Sequence, residues 1–133
     1  MKSHLRIARP VTDFKKIKQF YCEGMGFHEI GSFKDHEGFD GLMLGHENFD
    51  YHFEFTRNNN SPVIPTPTPE DLTVFYIPDN NQFNYYVDKL KELLFPVVKS
   101  HNPYWDNNGK TFLAPDNYRV VLQNSHWKNQ INR

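Results

Sequence analysis

A repeated order of elements constrains this chain more than any other feature of its sequence. In the first half, the alternating run LRIARP precedes apolar residues at helical spacing and three strand-like runs, FHEIGSF, GFDGLMLG and YHFEFTR. In the second half, LTVFYIP precedes another helical pattern and the runs FPVVKS, KTFLAP and YRVVLQN. Both halves therefore predict a strand, a helix and three strands. Pairing two such modules would bury one sheet face of each and leave a concave surface between them.

Capping and breaking residues predict where the modules begin and end. Thr12 or Asp13 can cap the first helix, and Asp79 can cap the second. Between the halves, NNNSPVIPTPTPEDL holds four prolines and three asparagines, which predict an extended linker rather than a ladder or helix. The prediction is one α+β domain over residues 1–133 with a curved mixed sheet around a cavity. Its parts are a first module at about 4–57, a linker at 58–70, a second module at 71–124 and a polar tail at 125–133.

Composition limits the classes of partner. The 15 basic and 16 acidic side chains are interspersed, so no basic stripe favours nucleic acid. The longest apolar runs are far shorter than a bilayer span, and the first residues lack the apolar core of a signal peptide. Cys22 is the only cysteine, which excludes an intrachain disulfide. We therefore expect a soluble cytoplasmic protein that contacts neither nucleic acid nor membrane.

Ordered motifs over most of the chain carry a family resemblance. The run RPVTDFKKIKQFYCEGMGF resembles the first helix of the vicinal oxygen chelate superfamily, and TFLAPDNYRVVLQ resembles its terminal hairpin. From about Leu5 to Gln123 the chain is similar to these glyoxalase and bleomycin-resistance proteins, which pair two βαβββ modules. RIARP, FDGLMLG, YHFEFT and NPYWDNNGKTF are similar to the YycE-like branch. The resemblance implies the fold, whereas the superfamily hosts many chemistries and this branch implies no specific reaction.

The resemblance also implies where a metal ion would be held. Typical members bind a divalent ion through the first and last strands of each module, and those positions fall here on Arg6, Glu54, Leu72 and Val121. Only Glu54 can donate a lone pair to a metal. The sequence therefore predicts no metal and no cofactor. An ion pair between Arg6 and Glu54 would take the place of the metal charge, in either a structural or a ligand-binding role.

Period-two geometry extends this site along the strands. His52 and Glu54 project to the same face of an extended YHFEFTR, whereas Phe53 and Phe55 project to the helix side. His52 and Glu54 are thus candidate catalytic residues, and His52 is the better proton carrier of the two. The same parity on the first strand leaves an alternative, in which His4, His52 and Glu54 form a three-ligand metal site.

Further polar and aromatic residues are candidates for ligand contact. Asp40 lies between glycines, where it caps a turn or reaches the cavity. The aromatic residues of NPYWDNNG either cover a ligand at the rim or only cap the seam between helix and sheet. The predicted ligand-binding set is Arg6, Asp40, Tyr76, Tyr104, Trp105 and Gln123.

These observations favour a metal-independent protein that binds a small-molecule ligand, and they leave open whether it is an enzyme. The alternatives are a metal-dependent lyase or dioxygenase of the same superfamily and a resistance-type protein that sequesters a drug. A homodimer is expected, because exposed sheet edges often recruit a second copy.

Overall fold

Two compact units make up the chain in the computed structural model, which describes residues 1–131. The first unit is Met1–Thr66 and the second begins at Pro67. Each contains one four-stranded mixed sheet and helices, in the order strand, helix, three strands. The predicted α+β class and the repeated modules are confirmed.

The first unit forms a sheet with the strand order β1-β4-β3-β2. β1 runs parallel to β4, and the other neighbours are antiparallel. The first helix changes to π-helical geometry after its first turn and a half. The elements are β1 (Leu5–Pro10), α1 (Phe14–Lys18) with its π-helical continuation (Gln19–Gly24), β2 (His28–His36), β3 (Phe39–Gly45) and β4 (Tyr51–Asn58).

The second unit repeats this arrangement with the strand order β5-β8-β7-β6. Two predictions are corrected here: FPVVKS contributes only a two-residue strand, and the predicted rim loop contains a short helix. The elements are β5 (Leu72–Tyr76), α2 (Asn80–Glu92), β6 (Val97–Val98), α3 (Tyr104–Asn107), β7 (Gly109–Leu113), a 3-10 turn (Pro115–Asn117) and β8 (Arg119–Gln123).

Aspartates begin both main helices, as predicted. The Asp13 side chain accepts a hydrogen bond from the backbone N–H of Lys16 at 3.1 Å. Asp79 accepts one from the backbone N–H of Gln82 at 3.0 Å. Each carboxylate satisfies a backbone donor that the first helical turn leaves without a partner.

Alternation along β4 separates the core from the opposite side of the first sheet. Phe53 and Phe55 are each 1% exposed. The ring of Tyr21, in the π-helical segment, lies 5.3 Å from that of Phe53 and 5.2 Å from that of Phe55. His52 and Glu54 therefore project away from the helix. We call the side of this sheet that faces away from the helix the open face.

The core of the second unit lies between α2 and its sheet. Phe112, Val120 and Leu122 are completely buried, and α2 contributes Phe83, Val87 and Leu90.

Residues 59–70, which connect the two units, and residues 125–131 of the tail form neither helix nor strand. Residues 62–68 lie in the proline-rich run, and Ile64 among them is 79% exposed. The predicted polar tail is described to residue 131, and its last positions, 132 and 133, lie outside the described residues. Among the helices of residues 1–131, none is long and apolar enough to cross a bilayer.

Candidate functional site

Parallel pairing of β1 with β4 brings the predicted polar residues together on the open face. Arg6 lies opposite His52, and Ala8 lies opposite Glu54. Residues paired across neighbouring strands project to the same side of a sheet. Arg6 therefore shares the open face with His52 and Glu54 of β4, as the alternation of side chains in the sequence predicts.

Four side chains on this face form one continuous hydrogen-bonded chain, which we call the Arg6 cluster: His4, Arg6, His52 and Glu54. Arg6 Nε donates to His52 Nε2 at 2.9 Å, and Arg6 Nη1 donates to Glu54 Oε2 at 3.2 Å. His52 Nδ1 lies 2.7 Å from His4 Nε2. The predicted ion pair between Arg6 and Glu54 is present.

The direction of each hydrogen bond follows from the chemistry of arginine. A guanidinium nitrogen can only donate, so His52 Nε2 must be the acceptor. A neutral His52 then carries its proton on Nδ1 and donates it to His4 Nε2. A neutral His4 accordingly keeps its own proton on Nδ1. In this arrangement the lone pairs of both imidazoles are engaged, and the N–H donors without a partner in the cluster belong to His4 and Arg6.

The local electrostatics favour the neutral His52 that this arrangement requires. Burial lowers the pKa of His52 below its ordinary value, and the positive charge of Arg6 lowers it further. The Glu54 carboxylate opposes this shift. The Arg6 side chain is 52% exposed, whereas that of Glu54 is 17% exposed. The free donors of Arg6 thus reach solvent while its carboxylate partner is more sheltered.

The donor set does not fit the divalent ion that the fold family implies. In the first unit a guanidinium stands at one implied ligand position. In the second unit the implied positions are alkyl side chains, Leu72 on β5 and the completely buried Val121 on β8. None of these three side chains has a lone pair for a metal. Only Glu54 remains as a ligand, too few for a zinc or calcium site.

His4, His52 and Glu54, the alternative metal ligands, lie close together but bond to one another or to Arg6. His4 and His52 do meet, yet one nitrogen of His52 faces His4 and the other accepts from Arg6. Arg6 also donates to one carboxylate oxygen of Glu54. Within the described part of the chain, no group of three or more His, Cys, Asp or Glu side chains is placed to hold a metal ion.

Asp40 does not join the Arg6 cluster. It pairs in register with Arg57 on the helix-facing side of the sheet. Its carboxylate accepts from the backbone N–H of Asp35 and from Asn59 Nδ2, each at 2.9 Å, and from Arg57 at 3.4 Å. The hydrogen bond from Asp35 is the main reason that the pKa of Asp40 lies below its ordinary value, and Asn59 adds to it. The residue organises the turn, the first of its two predicted roles.

The remaining candidates belong to the second unit. Tyr76 and Gln123 are register partners on β5 and β8. Gln123 is 3% exposed and its side-chain oxygen has no hydrogen-bond partner. The exposed Tyr104 ring meets the Trp105 ring edge to face at 5.0 Å, within α3.

Two features of the sites escaped the sequence reasoning. Trp127, in the predicted polar tail, places its ring 5.9 Å from that of Tyr76. The sequence predicts His4 only as a metal ligand, whereas the structure places it at the end of the hydrogen-bonded chain. The alternation of His4 with Arg6 was the available signal, because it places both side chains on one face.

Solved structures of distant relatives show which fold this chain has. Glyoxalase I of Leishmania major has a TM-score of 0.72 at 16% identity, covering 94% of this chain and 88% of its own. The fosfomycin resistance protein FosX of Mesorhizobium loti has a TM-score of 0.70 at 12% identity, with coverage of 90% and 88%. The chain therefore has the glyoxalase-like fold of the vicinal oxygen chelate proteins.

Closer relatives define the family within this class. Family models described as the YycE-like N-terminal domain and the YycE-like C-terminal domain match residues 5–56 and 70–124. Protein YycE of Bacillus subtilis (strain 168) is 42% identical over 123 residues, which cover 92% of this chain and 88% of YycE. A crystal structure of a YycE protein from Bacillus subtilis has a TM-score of 0.88 at 40% identity, with coverage of 96% and 93%. This chain belongs to the YycE-like family.

Proposed function

We propose that this protein binds a small molecule on the open face of the first sheet, where Arg6 donates to an anionic or carbonyl oxygen without the help of a metal. The observation that carries the proposal is the hydrogen bond from Arg6 Nε to His52 Nε2 at 2.9 Å. It orients the guanidinium and leaves N–H donors of Arg6 and His4 unused. Charge-assisted hydrogen bonds from such donors to a carboxylate are among the stronger polar contacts in proteins.

Binding is a better match to this geometry than base catalysis. A general base needs a free lone pair within hydrogen-bond reach of the substrate proton. Both nitrogens of His52 are engaged, and Glu54 already accepts from Arg6. A catalytic role for His52 would therefore require Arg6 to release Nε2 first, whereas the Glu54 carboxylate accepts from Arg6 through one oxygen only. We assign both residues the task of holding Arg6 in place.

Relatives with this fold support a small-molecule ligand. They include a glyoxalase I, fosfomycin resistance proteins and TnmS3, an antibiotic binding protein from Streptomyces sp. CB03234. Ligand contacts from Tyr76, Tyr104, Trp105 and Gln123 are further parts of the proposal. The unpartnered, buried oxygen of Gln123 supports its inclusion.

Assembly into a homodimer and a cytoplasmic location complete the proposal. β2 is an edge strand of the first sheet, and an edge strand can pair with a second copy of the chain. The free thiol of Cys22 is compatible with a reducing compartment. Light scattering on the purified protein tests the dimer, since a monomeric mass would contradict it.

Calorimetric titration with acetate and pyruvate tests the site. Arg6→Ala should weaken binding at least tenfold, because it removes the charged donor. Arg9→Ala is the matched control: Arg9 lies on the same strand but belongs to the helix side, where its guanidinium stands 5.9 Å from the centre of the Phe53 ring. It should change the affinity less than twofold. Equal affinities of the wild type and Arg6→Ala would refute the site, and so would a stoichiometric metal ion held by Glu54 in the purified protein.

A further inference from the structure

Apolar side chains continue the open face beyond the Arg6 cluster. Across β3 and β4, Met43 lies opposite Glu54. Across β2 and β3, Phe33 lies opposite Gly41. Phe33 and Met43 therefore project to the same side of the sheet as Glu54. Together with Ile30 they form what we call the apolar strip.

Ile30 connects the apolar strip to the polar cluster. A β-carbon built on Gly45 would lie 3.3 Å from Ile30 Cδ1 and 3.1 Å from His52 Cβ. Gly45 thus has His52 on one side and Ile30 on the other. Ile30 is 51% exposed, so its side chain is accessible to a ligand.

The side chains of the apolar strip lie flat along the sheet. The Phe33 ring occupies the space that a side chain on Gly41 would fill. The terminal methyl of Met43 does the same at Gly31, where a β-carbon would come within 2.7 Å of it. Both side chains therefore offer a flat contact surface, and thioether and aromatic groups suit an apolar ligand.

The strand order sets the distance between the charged and the apolar parts. The Arg6 guanidinium bonds to His52 and Glu54, which places it above β4. β3 and then β2 follow in the sheet, each about 4.8 Å further. A ligand whose acid group meets Arg6 would therefore reach Ile30 with a body of roughly 10 Å. An extended chain of about eight carbons, with C–C bonds near 1.5 Å, has this length.

From this geometry we infer that the ligand is an amphipathic carboxylic acid, whose carboxylate is bound by Arg6 and whose apolar body lies across β3 and β2 on Ile30, Phe33 and Met43. The inference rests on the proposed function, because Arg6 must hold the acid group. Charge complementarity favours a small acid over a protein partner: one guanidinium with free donors stands beside a strip that is only two strands wide.

Titration with straight-chain carboxylates from acetate to decanoate, below their micelle concentrations, tests the inference. The affinity of the wild type should rise about fourfold for each added methylene and level off near eight carbons. Ile30→Ser should flatten the rise in affinity with chain length for the longer acids. The matched control is Ile64→Ser, because Ile64 lies in the linker and is 79% exposed. This variant should leave the affinity for every acid of the series unchanged.

The outcomes separate this inference from the proposal beneath it. If no carboxylate binds, the proposed function fails, and this inference fails with it. If acetate binds in an Arg6-dependent manner but chain length has no effect, only the apolar subsite is refuted. A change of oligomeric state in Ile30→Ser without a change in chain-length dependence would also overturn the inference, because it would assign the strip to a protein interface.

Discussion

The contribution of the Arg6–Glu54 pair to stability can be predicted from its geometry and tested by a double-mutant cycle. The two charged groups are 3.2 Å apart, with side chains 52% and 17% exposed. Because solvent screens such a pair, its coupling energy should be about 0.5–1 kcal/mol. Arg6→Ala also loses the hydrogen bond to His52, which contributes about 1 kcal/mol. We therefore expect Arg6→Ala to lower the free energy of unfolding by about 1.5–2 kcal/mol.

Urea unfolding of the wild type, Arg6→Ala, Glu54→Ala and the double variant provides the measurement. The midpoint should shift while the denaturant slope stays constant, because the pair does not change the surface exposed on unfolding. The Lys18–Glu29 pair is the matched control, since it has the same 3.2 Å separation and its side chains are 47% and 41% exposed. Its coupling should be about 0.5 kcal/mol or less. A coupling above about 3 kcal/mol for Arg6 and Glu54 is typical of a fully buried pair and would refute the reasoning.

Two further predictions concern packing and pH. Gly109→Ala should lower the free energy of unfolding by about 2–3 kcal/mol in urea, because its β-carbon would lie 2.7 Å from the carbonyl oxygen of Leu122 and 2.8 Å from that of Trp105. Gly45→Ala, whose nearest backbone atom would be 3.6 Å away, should cost less, and equal losses would contradict this account. Because the pKa of His52 is lowered in the folded protein, the folded state binds fewer protons than the unfolded state as the pH falls. Its contribution to stability is thus complete above pH ~6.5 and is lost as the pH falls through the folded pKa. As the pH falls below ~6.5, the difference in unfolding free energy between the wild type and His52→Gln should shrink. A difference that grows on acidification would show that the pKa of His52 is not lowered.

Local patterns in the sequence were sufficient to predict the two main helices and the two faces of β4. Alternation in YHFEFTR separates Phe53 and Phe55 from His52 and Glu54, because successive side chains of any strand project to opposite faces. Asp13 and Asp79 begin the helices, since an aspartate at that position satisfies a free backbone N–H.

Other features depended on neighbours that are distant in the sequence. FPVVKS has the composition of a strand, yet only Val97 and Val98 pair with β7. The sequence favours Asp40 as a turn former over a ligand contact, and the hydrogen bond from the backbone N–H of Asp35 is what ties its carboxylate to the turn. The change of the first helix to π-helical geometry at Gln19–Gly24 has no signal that we can identify in the residues themselves.

The amino-acid sequence by itself determined the repeated modules and the parity of each strand, and it has arginine, leucine and valine at three of the four positions where the family resemblance implies metal ligands. These properties depend on residue type and on local backbone geometry, which a sequence contains directly. Only the tertiary structure decided that Arg6 lies opposite His52 and that His4 closes the hydrogen-bonded chain. The register of two parallel strands that are more than forty residues apart is set by how their side chains pack together, and a shift of one residue would turn Arg6 to the helix side.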